Sequence, residues 1–395
     1  MASPKQDKGR LSDRISIGVL TQTFPPDLVD RIVDEAGRKE KRNRLLPARM
    51  VVYFCLMMCL FSRESYNEIM ALMLKGLRWT KQWSPSWQLP TAGAITLARQ
   101  RLGPDPLRLL FETIARPLAH PATQGAWYRK WRLVAIDGTI LDLADTEENE
   151  NAYGRPSNSR SDDKSAFPQA RVVGLVECGT HAVIDAHVGG CNQSENELVT
   201  KLFESLRPGM LVLCDRGFWS FDLWRQAQES GADLLWRTKS NIILPVVEML
   251  FDGSYLSQIF SSDDKKKENP ITVRVIEYKL EGMSDETYRL VTTILDPEKA
   301  PAEELAALYA ERWEIESVFD EVKTHQRGGG AVLRSKHPET VEQEIWSHLL
   351  VHYAIRLLMA DAATEADVDP DRVSFLSALR IVRRQVTDPT AFSPR

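Results

Sequence analysis

Cysteine is scarce in this chain: Cys55, Cys59, Cys178, Cys191 and Cys214 are the five among 395 residues. An odd number with no two-residue spacing excludes a disulfide-framed secreted domain and a zinc knuckle, and reads as the reduced thiols of a cytosolic protein. A long apolar run is missing as well. The longest, Val51 to Phe61, falls far short of the roughly 18–20 residues that cross a bilayer, so it reads as a buried helix. Met1 to Arg10 is polar with no apolar core, which does not fit a signal peptide. Nor is there an excess of positive charge, since the formal net charge is -5. That weighs against a polyanionic partner only at long range, because local basic patches decide contact. What is present is ordinary for a globular protein of two or three domains: 43% hydrophobic and 27% charged residues, with no internal repeat or long low-complexity segment.

Residues 1–125 read as a helical domain. Pro26 and Asp27 open an amphipathic stretch that stops at Gly37, and helices are expected over 47–61 and 65–75. After a Trp- and Pro-rich link, Thr91 caps another helix that carries Arg99 and Arg101 near its end and closes at Gly103. Short helices with terminal arginines suit a helix-turn-helix-like DNA reader, and equally a packing domain with solvated arginines. From residue 126 the texture changes. Leu133 to Ile136, Val172 to Val176, Ala182 to Val188 and Met210 to Cys214 read as strands, with a helix over 194–206 before the last. A helix over 220–229 and a strand over 232–237 follow. Three strands, helix, strand, helix, strand is the order of a ribonuclease-H-like layer. The fold class expected is therefore α/β, with a ribonuclease-H-like core over 126–330, a β insertion at 240–298 and C-terminal helices over 331–395.

Two apolar strands end in acid, at Asp137-Gly138-Thr139 and Asp215-Arg216-Gly217-Phe218. A long helix expected from Pro301 to about His325 adds a third carboxylate, Glu316. On a regular helix Tyr309, Arg312, Glu316 and Lys323 fall at about 0°, 300°, 340° and 320°, a polar face only about 60° wide beside an apolar stripe. Strand ends beside a helix form the crevice of an open α/β sheet. Three carboxylates there suit hard, oxygen-seeking ions, and a pair of such ions about 3.5–4 Å apart promotes phosphodiester displacement. Arg312 and Lys323 supply the cations that a polyanionic substrate needs. Taken singly, each acid has a plainer explanation. Asp before Gly commonly caps a turn, and Glu316 pairs with Arg312 at i−4 on an ordinary helix.

These residues resemble the DDE transposases of the insertion-sequence-4 type. The third-acid helix signature of that family is Tyr, two residues, Arg, three residues, Glu, six residues, Lys, and Tyr309, Arg312, Glu316 and Lys323 meet it without a gap. Asp137-Gly138-Thr139 and Asp215-Arg216-Gly217-Phe218 look like the first and second acidic motifs, and Ala98 to Gly103 is similar to an N-terminal segment of such proteins. The resemblance implies two Mg²⁺ ions, replaceable by Mn²⁺, held by Asp137, Asp215 and Glu316. It implies cut-and-paste movement of a double-stranded DNA element with inverted terminal repeats into target DNA, by a homodimer in the bacterial cytoplasm, nucleoid-associated when bound and with no membrane partner. Tyr309, Arg312 and Lys323 would hold phosphates or the distorted element end, with Arg216, Arg99 and Arg101 as further DNA contacts. The rivals are a nuclease of the same fold that does not join and an inactive DNA-binding derivative.

Other clusters have plainer explanations. Glu344, His348 and His352 share a helical face but sit in apolar surroundings and read as satisfied helix residues, not metal ligands. Asp142 and Asp185 suit either supporting acids or turn and edge positions. Arg155, Arg160 and Lys164 suit either a DNA-following or a solvated loop, and Lys265 to Lys267 reads as a solvated charge run.

Overall fold

The computed structural model describes residues 18–42, 44–75, 89–156, 165–279, 287–328, 330 and 332–387. Most of the Trp- and Pro-rich link, Arg160 and Lys164 lie outside them. Six helices come first: α1 (Val19–Thr23), α2 (Pro26–Glu35), α3 (Ala48–Leu60), α4 (Tyr66–Lys75), α5 (Ala92–Leu102) and α6 (Asp105–Ile114). The local signals operate as the chemistry dictates. The Thr91 hydroxyl accepts from the Ala94 N–H at 3.2 Å, and Gly103, at φ 69°, ends α5. Helix α3 is apolar around almost its whole circumference, and every residue from Met50 to Leu60 is buried. A helix of that kind must be covered on all sides.

One sheet organises the rest. Its strands are β1 (Trp127–Tyr128), β2 (Trp131–Asp142), β3 (Gln169–Glu177), β4 (Ala182–Gly190), β5 (Met210–Cys214), β6 (Asp233–Arg237), β7 (Glu248–Met249), β8 (Tyr255–Ile259), β9 (Ile271–Lys279) and β10 (Thr287–Thr292). The spatial order is β4-β3-β2-β5-β6-β10-β9-β8-β7, with β1 on β2. The first five form the ribonuclease-H-like core, in which β2, β5 and β6 pair in parallel and β3 pairs antiparallel with both β2 and β4. The expected β insertion is a continuation of the same sheet, because β10 pairs antiparallel with β6. Helices α7 (Glu147–Tyr153), α8 (Glu195–Leu202) and α9 (Phe221–Glu229) lie within the core sequence. After the insertion come α10 (Ala302–Leu308), α11 (Trp313–Asp320), α12 (Pro338–Ala366) and α13 (Phe375–Thr387).

Alternation along the strands sorts the two faces. Val134, Ile136, Val212 and Cys214 pack with Leu198, Leu202 and Trp224 of α8 and α9. Leu133, Ala135, Leu211 and Leu213 join the opposite core, with Leu305, Tyr309, Val318 and Phe319. That second core also contains α3, α6 and α12 residues, so the terminal helices close over one side of the sheet. No helix among the described residues is long and apolar enough to cross a membrane.

Arg99 corrects an expectation. It is 1% exposed, and its guanidinium donates to Gln343 Oε1 (3.2 Å), Tyr66 Oη, Ser335 Oγ (3.0 Å) and the Thr340 carbonyl (2.8 Å). It therefore fastens α5 to the start of α12 and does not read DNA. Arg101 donates to the Leu46 carbonyl at 2.8 Å and pairs with Glu40 at 3.5 Å, with its side chain 37% exposed. Arg99→Ala should lower unfolding free energy by about 2–4 kcal/mol, since it strands several buried polar groups, whereas Arg101→Ala should cost less than about 1 kcal/mol. Urea denaturation of both variants checks this, and equal small losses would contradict the buried role.

Candidate active site

Strand pairing, more than any side-chain contact, brings the first two acids together. In the parallel β2–β5 ladder the last partners are Ile136 and Cys214. Asp137 and Asp215 each follow directly, on strands about 4.8 Å apart. Both continue the alternation of Leu133/Ala135 and Leu211/Leu213, which places them on the face covered by α10 and α11. Asp137 was expected at a strand end. Strand β2 instead runs on to Asp142, and Asp137 pairs with Gly174 of β3. What ends at Ile136 is the pairing with β5, and that opens the crevice. Phe319 of α11 packs over Gly174, where a β-carbon would meet its Cζ at 3.4 Å, an ordinary van der Waals contact.

The stretch carrying the third acid is not the regular helix expected. Helix α10 tightens into a 3₁₀ turn at Tyr309–Arg312, resumes as α11, and widens into a π-helical turn at Glu321–Gln326. The uniform angular projection therefore fails, and the four signature residues divide by depth. Tyr309 is 4% exposed, and its hydroxyl donates to the Cys214 carbonyl at 3.0 Å. In this conformation it is a strut beneath the residue before Asp215. Arg312 is 5% exposed and donates to Glu316 Oε1 at 3.2 Å. Glu316 itself is exposed, and Lys323 is half-buried. Ile315, expected in the apolar stripe, has a side chain outside those described.

The electrostatics bind these groups into one site. Burial raises Asp137 to about 6 from an ordinary 3.8, against the opposing pull of the Gly138 N–H at 2.8 Å and the Arg312 charge; Glu316 and Glu195 push it further up. Arg312 loses stability of its charge to burial but regains more from Tyr309, Asp215, Glu316 and Asp137, so its pKa stands above the ordinary value. It is the internal counter-ion of the acids. Burial and the neighbouring Arg327 charge hold Lys323 below the ordinary lysine range, while Asp142 and Asp137 draw it back. Arg216 is exposed beside Asp215.

Two features were not legible in the sequence. Glu195, the first residue of α8, approaches from the far face of the sheet so closely that a β-carbon at Gly138 would collide with its carboxylate. Glu321, in the π turn, anchors the helical rod that carries Glu316. Its carboxylate meets His352 Nε2 at 2.9 Å, accepts from Arg356 Nε at 3.0 Å and bonds Arg356 Nη2 as well. Burial alone would raise its pKa, but hydrogen bonds from His181 and His352 and the Arg356 charge hold it well below the usual range. The Glu344, His348 and His352 group is structural: Glu344 accepts from Arg334 and Ser335, and His348 faces Gln326 at 3.1 Å. Asp142 accepts from Gln169 and Asp185 from Ser205. Arg155 holds its own loop, donating to the Ser165 and Ala166 carbonyls.

Among the described residues no three His, Cys, Asp or Glu side chains are gathered closely enough to hold a metal ion in this conformation. The donor chemistry nevertheless fits a hard divalent cation. The acids offer only oxygen, and Asp137 is desolvated beyond what its neighbours offset, which an adjacent cation would reverse.

Residues 14–112 match the insertion element 4 transposase N-terminal family, and residues 129–354 match the transposase DDE domain family. DDE transposase domains use divalent metal ions. Over 380 residues the chain is 30% identical to the transposase InsG for insertion sequence element IS4 of Escherichia coli (strain K12), covering 93% of this chain and 83% of that protein. It is 24% identical over 237 residues to the putative transposase InsZ of the same strain, covering 59% and 76%. A solved piggyBac transposase synaptic complex with hairpin DNA superposes with a TM-score of 0.48 at 11% identity, covering 93% of this chain and 79% of that one.

A carboxyl whose pKa is raised in the folded state stabilises the fold below its unfolded value, and that contribution is lost as pH rises through about 6. In metal-free protein Asp137→Asn should therefore be more stable than wild type above pH 6, by on the order of 1–3 kcal/mol, with the gap closing toward about pH 4. Thermal unfolding in chelator across that range measures it. A gap that does not change with pH would contradict the assigned environment.

Proposed function

The chain belongs to the DDE transposases of the insertion-sequence-4 type and is a DNA-binding DNA transposase, and we propose that Asp137, Asp215 and Glu316 are its catalytic acids. The observation that carries this is the Ile136–Cys214 register, which delivers two aspartates side by side beneath Arg312 and Glu316. The three carboxylates would hold two Mg²⁺ ions, with Mn²⁺ able to substitute. Such ions supply an activated oxygen nucleophile and stabilise the leaving oxygen.

The residues themselves do three things. Tyr309 fixes the Cys214 carbonyl and so the starting point of Asp215. Arg312 offsets the mutual repulsion of the acids and, beside them, is placed to steady the substrate phosphate that draws near. Lys323 and the exposed Arg216 extend positive charge along both sides of the crevice, where Arg101 is a more distant candidate contact. In the first reaction water adds to the phosphodiester at the element end, and the strand breaks to leave a 3′-hydroxyl. In the second, that hydroxyl attacks a target phosphodiester and displaces a new 3′-hydroxyl, so the number of phosphodiester bonds is conserved. Terminal inverted repeats as the substrate, and a homodimer that brings two ends together in the bacterial cytoplasm, complete the proposal.

We further propose the division into residues 1–125 for end binding, 126–330 for catalysis and 331–395 as support. A nuclease that does not join, and an inactive derivative, are not favoured, since the family is that of transposases.

Glu316→Gln should reduce cleavage of an element-end duplex by about 10²-fold or more, while binding of that duplex stays within a few-fold of wild type. Gel assays of cleavage and of joining by a pre-cut 3′-hydroxyl end measure both. Undiminished cleavage by the variant would remove Glu316 from the chemistry.

A further inference from the structure

A second concentration of positive charge lies at the far end of the catalytic rod, in a chain whose net charge is negative. A cavity of about 420 Å³ opens there between three walls: the turn after α3, the end of the π-helical turn, and α13. Arg63, Arg327, Arg380 and Arg383 line it with His325, and Glu64 is the one carboxylate among the lining residues. Arg383 is held in place, donating to the Leu60 carbonyl at 2.7 Å and the Gln326 carbonyl at 3.2 Å. Those carbonyls orient its charge without neutralising it. Burial and the neighbouring Arg63 charge hold Arg383 below its ordinary value, so these two cations press on one another, while Glu344 and Asp142 partly offset the charge of buried Arg327. Arg63 also lies directly over the turn: a β-carbon at Gly328 would sit 3.0 Å from its Nη2.

Such mutual repulsion is costly unless an anion relieves it. From Glu316 to Arg327 is eleven residues, at most about 16 Å at the rise of a regular helix and less through the π-helical turn. The rise of about 3.4 Å per phosphate runs along the duplex axis, and successive phosphates of one strand also turn about that axis, so the span covers only a few nucleotides. Lys323 stands between, close enough to Arg327 and Asp137 to respond to both. We propose that this cavity is a phosphodiester site, taking one backbone phosphate of the bound DNA a few nucleotides from the phosphate at the catalytic acids. The site sets the register of the strand along the rod and carries no base specificity. The proposal rests on the chain acting on DNA, and is independent of the metal assignment.

The test uses the full chain with Arg63 and Arg380, both exposed, changed together to Ala. Fluorescence anisotropy with an element-end duplex and with an unrelated duplex, over a salt series, is expected to show weaker binding to both. The slope of log affinity against log salt should become shallower by about 0.9, the loss of one phosphate contact. Phosphate-ethylation interference should show one phosphate, a few nucleotides from the cleavage point, that matters in wild type and not in the variant. Glu316→Gln should keep the wild-type slope, which separates failure at this site from failure of the catalytic assignment. If thermal unfolding shows the double variant to be misfolded, Arg380→Glu alone must give the same shallower slope. Unchanged affinity and slope would overturn the proposal. So would a loss confined to one sequence, or stabilisation of wild type but not the variant by inorganic phosphate with DNA binding unaltered, which would mark a pocket for free anions.

Discussion

Everything at the active site depends on one strand pairing. The parallel ladder between β2 and β5 ends at Ile136 and Cys214, and the backbone beyond it diverges. Because side chains alternate, residues directly after the pair emerge on one face and side by side. An acid at each position is therefore held close to the other by main-chain hydrogen bonds, before any side-chain contact is made. The Tyr309 hydroxyl on the Cys214 carbonyl locks the rod to that same point of divergence. A one-residue slip in β5 would turn Asp215 to the opposite face and dismantle the site.

Gathering acids in a half-buried crevice is unfavourable by itself, and the structure answers with charge placed at several depths. Arg312 sits deepest and holds Glu316. Lys323 lies at the edge, and the arginine-lined cavity comes at the far end of the rod. The rod is fixed from behind by Glu321, whose bonds to His352 and Arg356 reach helix α12. In this way the C-terminal helices, far from Glu316 in sequence, set the position of that proposed third acid. The π-helical turn that carries Glu321 inserts an extra residue in the helical spiral, which turns the following side chains relative to a regular helix.

Much of this was legible in the sequence, and the reasons are physical. Apolar runs bounded by Asp-Gly and Asp-Arg-Gly marked β2 and β5, and the Thr91 and Gly103 caps marked α5, because each depends on neighbours a few residues away. The order of elements then fixed the sheet. What was not legible depends on tertiary contact. Arg99 has the composition of a DNA-facing arginine, and only the approach of α12 turns it into a buried fastener. Tyr309 fits a signature at fixed spacing, but its depth depends on a 3₁₀ turn that periodicity does not reveal. Glu195 reaches the site across the sheet, and Glu321 reads as one more helix carboxylate until His181, His352 and Arg356 surround it. How the insertion joins the core was not legible, because nothing local in residues 287–292 shows that they pair with β6.

The central claim is that the paired-strand aspartates and Glu316 share divalent ions when DNA is bound. The most direct measurement is a crystal structure with a cleaved element end and Mn²⁺, read by anomalous scattering. Two peaks about 3.5–4 Å apart, with carboxylate oxygens of Asp137 and Asp215 among their ligands and Glu316 turned from Arg312 onto one of them, are the result expected. Manganese bound elsewhere, or no ion within reach of Asp137 and Asp215 in that DNA complex, would contradict the account.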